Sequence, residues 1–109
     1  MDVLRPEDLG SDVVCVEVVE IGEQVVYRYG RRRRVSFLIV DFFGKLKKVW
    51  LSASNRNALA MLGYQWFPSV VGRKIVLRRG FTEINGERKY HVKIVAVKPP
   101  LHVKIFEEG

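Results

Sequence analysis

Cysteine is almost missing from this chain: Cys15 stands alone, which excludes an internal disulfide and a zinc cluster built of cysteines. Flanked by Val14 and Val16, it is expected in or near the core. No stretch reaches the roughly 18 apolar residues of a membrane-spanning helix. The acidic start lacks the basic opening and apolar centre of a secretory signal, so a cytoplasmic protein is expected. Histidine occurs only at His91 and His102, with no second ligand at metal spacing. Gly72-Arg73-Lys74 lacks the preceding glycine and the following Ser or Thr of a phosphate-cradling loop. Without a nucleophile, base or metal set, no enzymatic activity and no cofactor are expected. Acid is scarce in one region in particular: residues 24–48 carry eight Lys and Arg against Asp41 alone, whereas residues 1–23 carry seven acids against Arg5. The net charge of +7 is therefore segregated, which gives a face able to attract polyanions.

What is present suits one domain over residues 1–109, since 48% of the chain is hydrophobic. Residues 1–11 read as a lead-in with a turn at Pro6-Glu7-Asp8-Leu9. A first strand spans Asp12 to Ile21 with Val14, Val16 and Val18 on one face. Gly22 interrupts it and opens a long polar connection to Arg34, part of which continues as an extended arm through Val25, Tyr27 and Tyr29. Val35 to Phe42 is a second strand, bulky on both faces, which suits a central strand or one that offers a side to a ligand. Phe43-Gly44-Lys45 turns the chain into a third strand, Leu46 to Leu51, with Val49 and Leu51 on one face and Lys48 and Trp50 on the other. Ser54 is the expected cap of a helix over Asn57 to Leu62, closed by Gly63. Trp66 and Phe67 follow, expected beneath that helix. Gly72 opens a fourth strand, Arg73 to Ile84, with Ile75 and Leu77 inward. Asn85-Gly86 is a hairpin signal, and a fifth strand, Glu87 to Val97, places Tyr90, Val92, Ile94 and Ala96 on one face. Pro99-Pro100 ends it, leaving residues 98–109 as a short strand or tail.

Five strands with one short helix between the third and fourth is the order of the OB-fold, a Greek-key barrel that binds oligonucleotides or oligosaccharides. The expected class is thus all-β, a five-stranded OB-fold barrel. Leu51-Ser52-Ala53-Ser54-Asn55 with Leu59 resembles the Leu-Asn-x-Thr-Asn pattern that ends the third strand in OB-fold single-stranded DNA-binding proteins of phage and archaeal type. Val70-Val71-Gly72-Arg73-Lys74-Ile75-Val76-Leu77 is similar to their Trp-x-Gly-Lys-x-Val-x-Leu strand opening, with Ser52 and Val70 departing from the usual Asn and Trp. The resemblance covers roughly residues 35–97 and concerns folding more than activity.

The architecture implies a ligand surface on strands two and three, walled by two loops. The first wall carries Tyr27, Arg28, Tyr29, Arg31, Arg32, Arg33 and Arg34. The floor carries Trp50 and Lys48 with Lys45 and Lys47, joined by whichever of Phe37 and Phe42 faces out. The fourth strand adds Lys74, Arg78 and Arg79, and the second wall adds Phe81 and Arg88. Cations meet phosphates and flat rings stack on unpaired bases, so the expected partner is single-stranded DNA, or else RNA, bound with little sequence preference in replication or repair. Two other readings stand beside it. One is a protein-interaction barrel that self-associates or joins a replication or ribosomal partner, suggested by Leu38, Val40, Phe42 and Phe43; the other is a chromatin-like binder of duplex DNA.

Overall fold

Three two-residue turns set the architecture. In the computed structural model, which describes residues 1–98, β1 (Val14–Arg28) and β2 (Arg31–Phe42) meet at Tyr29-Gly30. Strand β2 meets β3 (Lys45–Trp50) at Phe43-Gly44, and β4 (Lys74–Ile84) meets β5 (Glu87–Lys98) at Asn85-Gly86. All six turn residues have positive φ, between 51° and 88°, the combination a type I′ turn needs to match the twist of its strands. Asn85 takes that conformation readily; Tyr29 and Phe43 do so at roughly 1–2 kcal/mol each.

The strands form one antiparallel sheet in the order β3-β2-β1-β4-β5. The first part of β1, Val14 to Glu17, pairs with β4, and the rest pairs with β2. Its inward face buries Val16 and Val18 as expected, against Leu38, Val40, Val49, Ile75, Leu77 and Ile94. Helix α1 (Pro6–Leu9) forms at the expected turn and adds Leu9, while α2 (Ala53–Met61) adds Leu59. Because both ends of the sheet wrap one core, the outward faces of β2–β3 and of β4–β5 point away from each other.

The sheet is not closed into the expected barrel. No ladder joins β3 to β5 among the described residues. Instead residues 2–4 lie along the free edge of β3, where Lys48 donates its N–H to Asp2 and accepts from Leu4 at 2.9 and 2.8 Å. Asn55 spans the remaining gap. Its amide donates to the Trp50 and Val92 carbonyls at 3.2 and 3.0 Å, and its oxygen accepts from the Ile94 N–H at 3.0 Å. One buried side chain thus ties the end of β3 to β5.

Several expected positions shift for local reasons. Strand β1 does not stop at Gly22, because that glycine serves a close approach: a Cβ there would lie 2.6 Å from Phe37 Cζ. Cys15 is exposed, since alternation sends it opposite to its valine neighbours. The cap of α2 is Ser52, whose hydroxyl accepts from the Asn55 N–H at 3.3 Å, so the helix starts earlier than Ser54 would allow. Its end at Gly63 is as expected, with φ at 94° and bonds from Gly63 and Tyr64 back to Ala60 and Leu59. Trp66 is 72% exposed, and only Phe67, in a 3₁₀ turn (Phe67–Val70), packs on the core. A register shift at Val95 reverses the alternation of β5, so Val97 and not Ala96 turns inward opposite Ile75. Pro99-Pro100 and the tail lie outside the described residues.

Candidate functional site

The outward face of β2–β3 carries a small cluster separate from the core. Phe37 sits directly opposite Trp50 with ring centroids 5.8 Å apart and nearly perpendicular planes. One pair further along, Lys48 reaches back so that its Nζ lies 4.5 Å from the Phe37 centroid and 5.8 Å from that of Trp50. The same Nζ donates to Gln24 Oε1 at 3.1 Å. Phe37 is therefore only 9% exposed although it belongs to the outer face: Gly22 gives it room beneath, and Lys48 and Trp50 flank it. An ammonium held over two rings gains about 0.5–1 kcal/mol from each at exposed sites. It keeps two N–H donors for a phosphate.

The alternation that left Phe37 and Phe42 undecided is resolved by register. Phe42 turns inward against the core and meets Phe43 edge-on at 4.9 Å. Lys45 and Lys47 share its side of β3, not the Trp50 side, because residues an odd number apart on a strand face opposite ways. Lys47 is largely covered and lies 3.8 Å from the Asp2 carboxylate. Lys74 and Arg78 point outward from β4, away from the β2–β3 floor.

Beyond Glu23 and Ser36 the β1–β2 hairpin projects as an arm, which is why the long polar connection is a strand pair and no loop. Arg28, Arg31 and Arg33 lie on the side that carries Phe37, whereas Tyr27, Arg32 and Arg34 lie on the other. Tyr29 is fully exposed at the tip. Arg34 pairs with Glu23 at 3.7 Å, but Arg28, Arg31, Arg32 and Arg33 form no ion pair among the described residues. Arg28 stands directly opposite Arg31, a like-charge pairing that destabilises a hairpin on its own and is relieved by an anion.

The β4–β5 hairpin forms a second arm whose inner side stacks cations on rings. The Arg79 guanidinium lies 4.6 Å from the Tyr90 centroid, Tyr90 meets Phe81 edge-on at 6.2 Å, and Arg88 lies 4.5 Å from Phe81 while pairing with Glu83 at 3.6 Å. Between this arm and β3 lies a cleft of about 240 Å³, bounded by Val3 to Pro6, Trp50, Asn55 and Tyr90 to Val92. Sequence reasoning missed Tyr90, Gln24 and the lead-in as parts of the site. Counting outward from the Asn85-Gly86 turn would have paired Tyr90 with Phe81; nothing local marks Gln24 or residues 2–4.

Among the described residues no three His, Cys, Asp or Glu side chains gather to hold a metal ion, and no helix is long and apolar enough to cross a membrane. Compared with protein-family models, curated proteins and solved structures, the chain finds no match.

Proposed function

We propose that this chain is an OB-type domain that binds single-stranded nucleic acid, DNA in preference to RNA, with little sequence preference and in the cytoplasm. The strand order supports the OB assignment, for it is that of an OB barrel cut between its third and fifth strands, with Asn55 standing at the cut. The observation that carries the functional reading is Lys48 held over the Phe37 and Trp50 rings on an outward sheet face, between two arms rich in Arg and aromatics. Bases stack on Trp50 and on the exposed rings of the arms, while Lys48, Arg28, Arg31 and Arg33 meet phosphates. Among the described residues no convergent set of donors and acceptors on this floor is placed to read a base edge, so discrimination between bases is weak.

The apolar density that favoured a protein-interaction barrel is mostly spent inside, since Leu38 and Val40 are core and Phe42 packs against it. The test is fluorescence anisotropy of a labelled oligo-dT, with unlabelled duplex DNA and RNA as competitors. Binding that duplex fails to displace supports the reading, and RNA competition ranks the two single strands. If four to six phosphates are met, log K falls against log salt with a slope of about −3 to −4. Absence of binding at low salt would refute it.

A further inference from the structure

A second cationic face lies on the far side of the domain. On the outward side of β4–β5, Arg78 stands directly opposite Lys93 and Lys74 directly opposite Lys98, with Lys89 beyond His91 nearer the tip. On this face the Val76–Ala96 pair separates the two, and Lys74 also stands opposite Glu17 of β1, whereas Arg78 and Lys93 form no ion pair among the described residues; a like-charge pair of that kind destabilises a sheet until an anion meets it. Gly80 adds to the arrangement: its bare backbone lets the Lys93 stem lie flat toward His91, and a Cβ there would come within 2.5 Å of Lys93 Cδ. Among the described residues no Phe, Tyr or Trp shares this face. Its chemistry suits a phosphate backbone and offers no platform for stacked bases.

The two basic faces are separated by acid. Along the outward side of β1–β2, Glu17 stands directly opposite Asp41, with Glu20 two pairs further on beside Ile39. A single strand led across β1 from Trp50 to Arg78 would pass over these three carboxylates. We infer that the domain holds two nucleic-acid segments at once, one stacked on the Phe37–Lys48–Trp50 face and one bound through its backbone alone on the β4–β5 face. A protein built this way bridges strands, an activity that favours annealing or compaction. The inference rests on the proposed strand binding and goes beyond it.

The test uses two short oligo-dT probes, one carrying a donor dye and one an acceptor, each about eight nucleotides long so that one probe stays within one site. Native mass spectrometry counts the probes per protein, and energy transfer reports bridging. The wild-type protein is expected to form a complex of one protein with two probes and to give transfer. The quadruple variant K74Q/R78Q/K93Q/K98Q is expected to bind one probe with affinity within about twofold of wild type and to lose transfer. A wild-type complex that stops at one probe overturns this inference and leaves the proposed function intact. Undiminished transfer in the quadruple variant also overturns it. If the wild-type protein binds no probe, both readings fall.

Discussion

Replacing Asn55 by alanine should cost this domain a large part of its stability. Asn55 is 3% exposed and makes three hydrogen bonds, two donated and one accepted. Alanine would strand the Trp50 and Val92 carbonyls and the Ile94 N–H, the last in a residue that is itself buried. An orphaned buried polar group costs about 1–3 kcal/mol. Taking the Trp50 carbonyl as the one water can reach most easily, the loss comes to about 3–5 kcal/mol of the 5–15 kcal/mol typical of a domain. At roughly 4 °C or more per kcal/mol for a domain near this size, melting should fall by at least about 12 °C. Asn55→Asp separates shape from hydrogen bonding: it preserves the acceptor for Ile94 but turns an oxygen where the amide donated, so it should be no better tolerated than alanine. Urea denaturation followed by circular dichroism measures both. A loss under about 1 kcal/mol for Asn55→Ala would refute the idea that this side chain joins the two sheet ends.

Trp50→Ala should weaken oligo-dT binding by about 5- to 150-fold, the equivalent of one stacked base, while the lost edge-on contact with Phe37 costs about 0.5–1.5 kcal/mol of stability, so the protein stays folded for the anisotropy assay. Gly22→Ala places a methyl group into the Phe37 ring and should cost about 1–3 kcal/mol in stability while reducing affinity, both read by melting and anisotropy on the same sample. Changing Arg28, Arg31, Arg32 and Arg33 together to Ser should flatten the salt slope by up to about 2.8, taking about 0.7 per phosphate contact for a single strand. An unchanged slope would assign those arginines to solvent.

The sequence made the inward faces legible because period-two alternation survives wherever a strand is regular, as in Val16 and Val18 or Ile75 and Leu77. Legibility failed at irregularities. The shift at Val95 is invisible in a run of β-branched residues, yet it exchanges Ala96 for Val97 at the core. Gly22 was misread because a glycine that admits a neighbouring ring looks the same in sequence as one that ends a strand. Tyr29-Gly30 escaped as a turn because tyrosine is a poor occupant of positive φ, which concealed that the basic connection is a hairpin. Within the site, Lys48 and Trp50 were placed together by simple alternation, and the same rule removes Lys45 and Lys47 from them. What alternation does not supply is the partner across the sheet: Gln24, which holds Lys48, is 24 residues away.

The central claim, that unpaired bases stack at Trp50, has a direct reporter. The chain has two tryptophans, and Trp66 lies exposed after α2, so Trp66→Phe leaves Trp50 as the sole indole. The measurement is the emission of that single-tryptophan protein as oligo-dT is added, with duplex DNA of equal phosphate concentration as the control. Saturable quenching by the single strand, little change with duplex, and reversal by salt are the predicted results. Oligo-dT binding detected by anisotropy with Trp50 emission unaltered would contradict the account and place the ligand elsewhere on the protein.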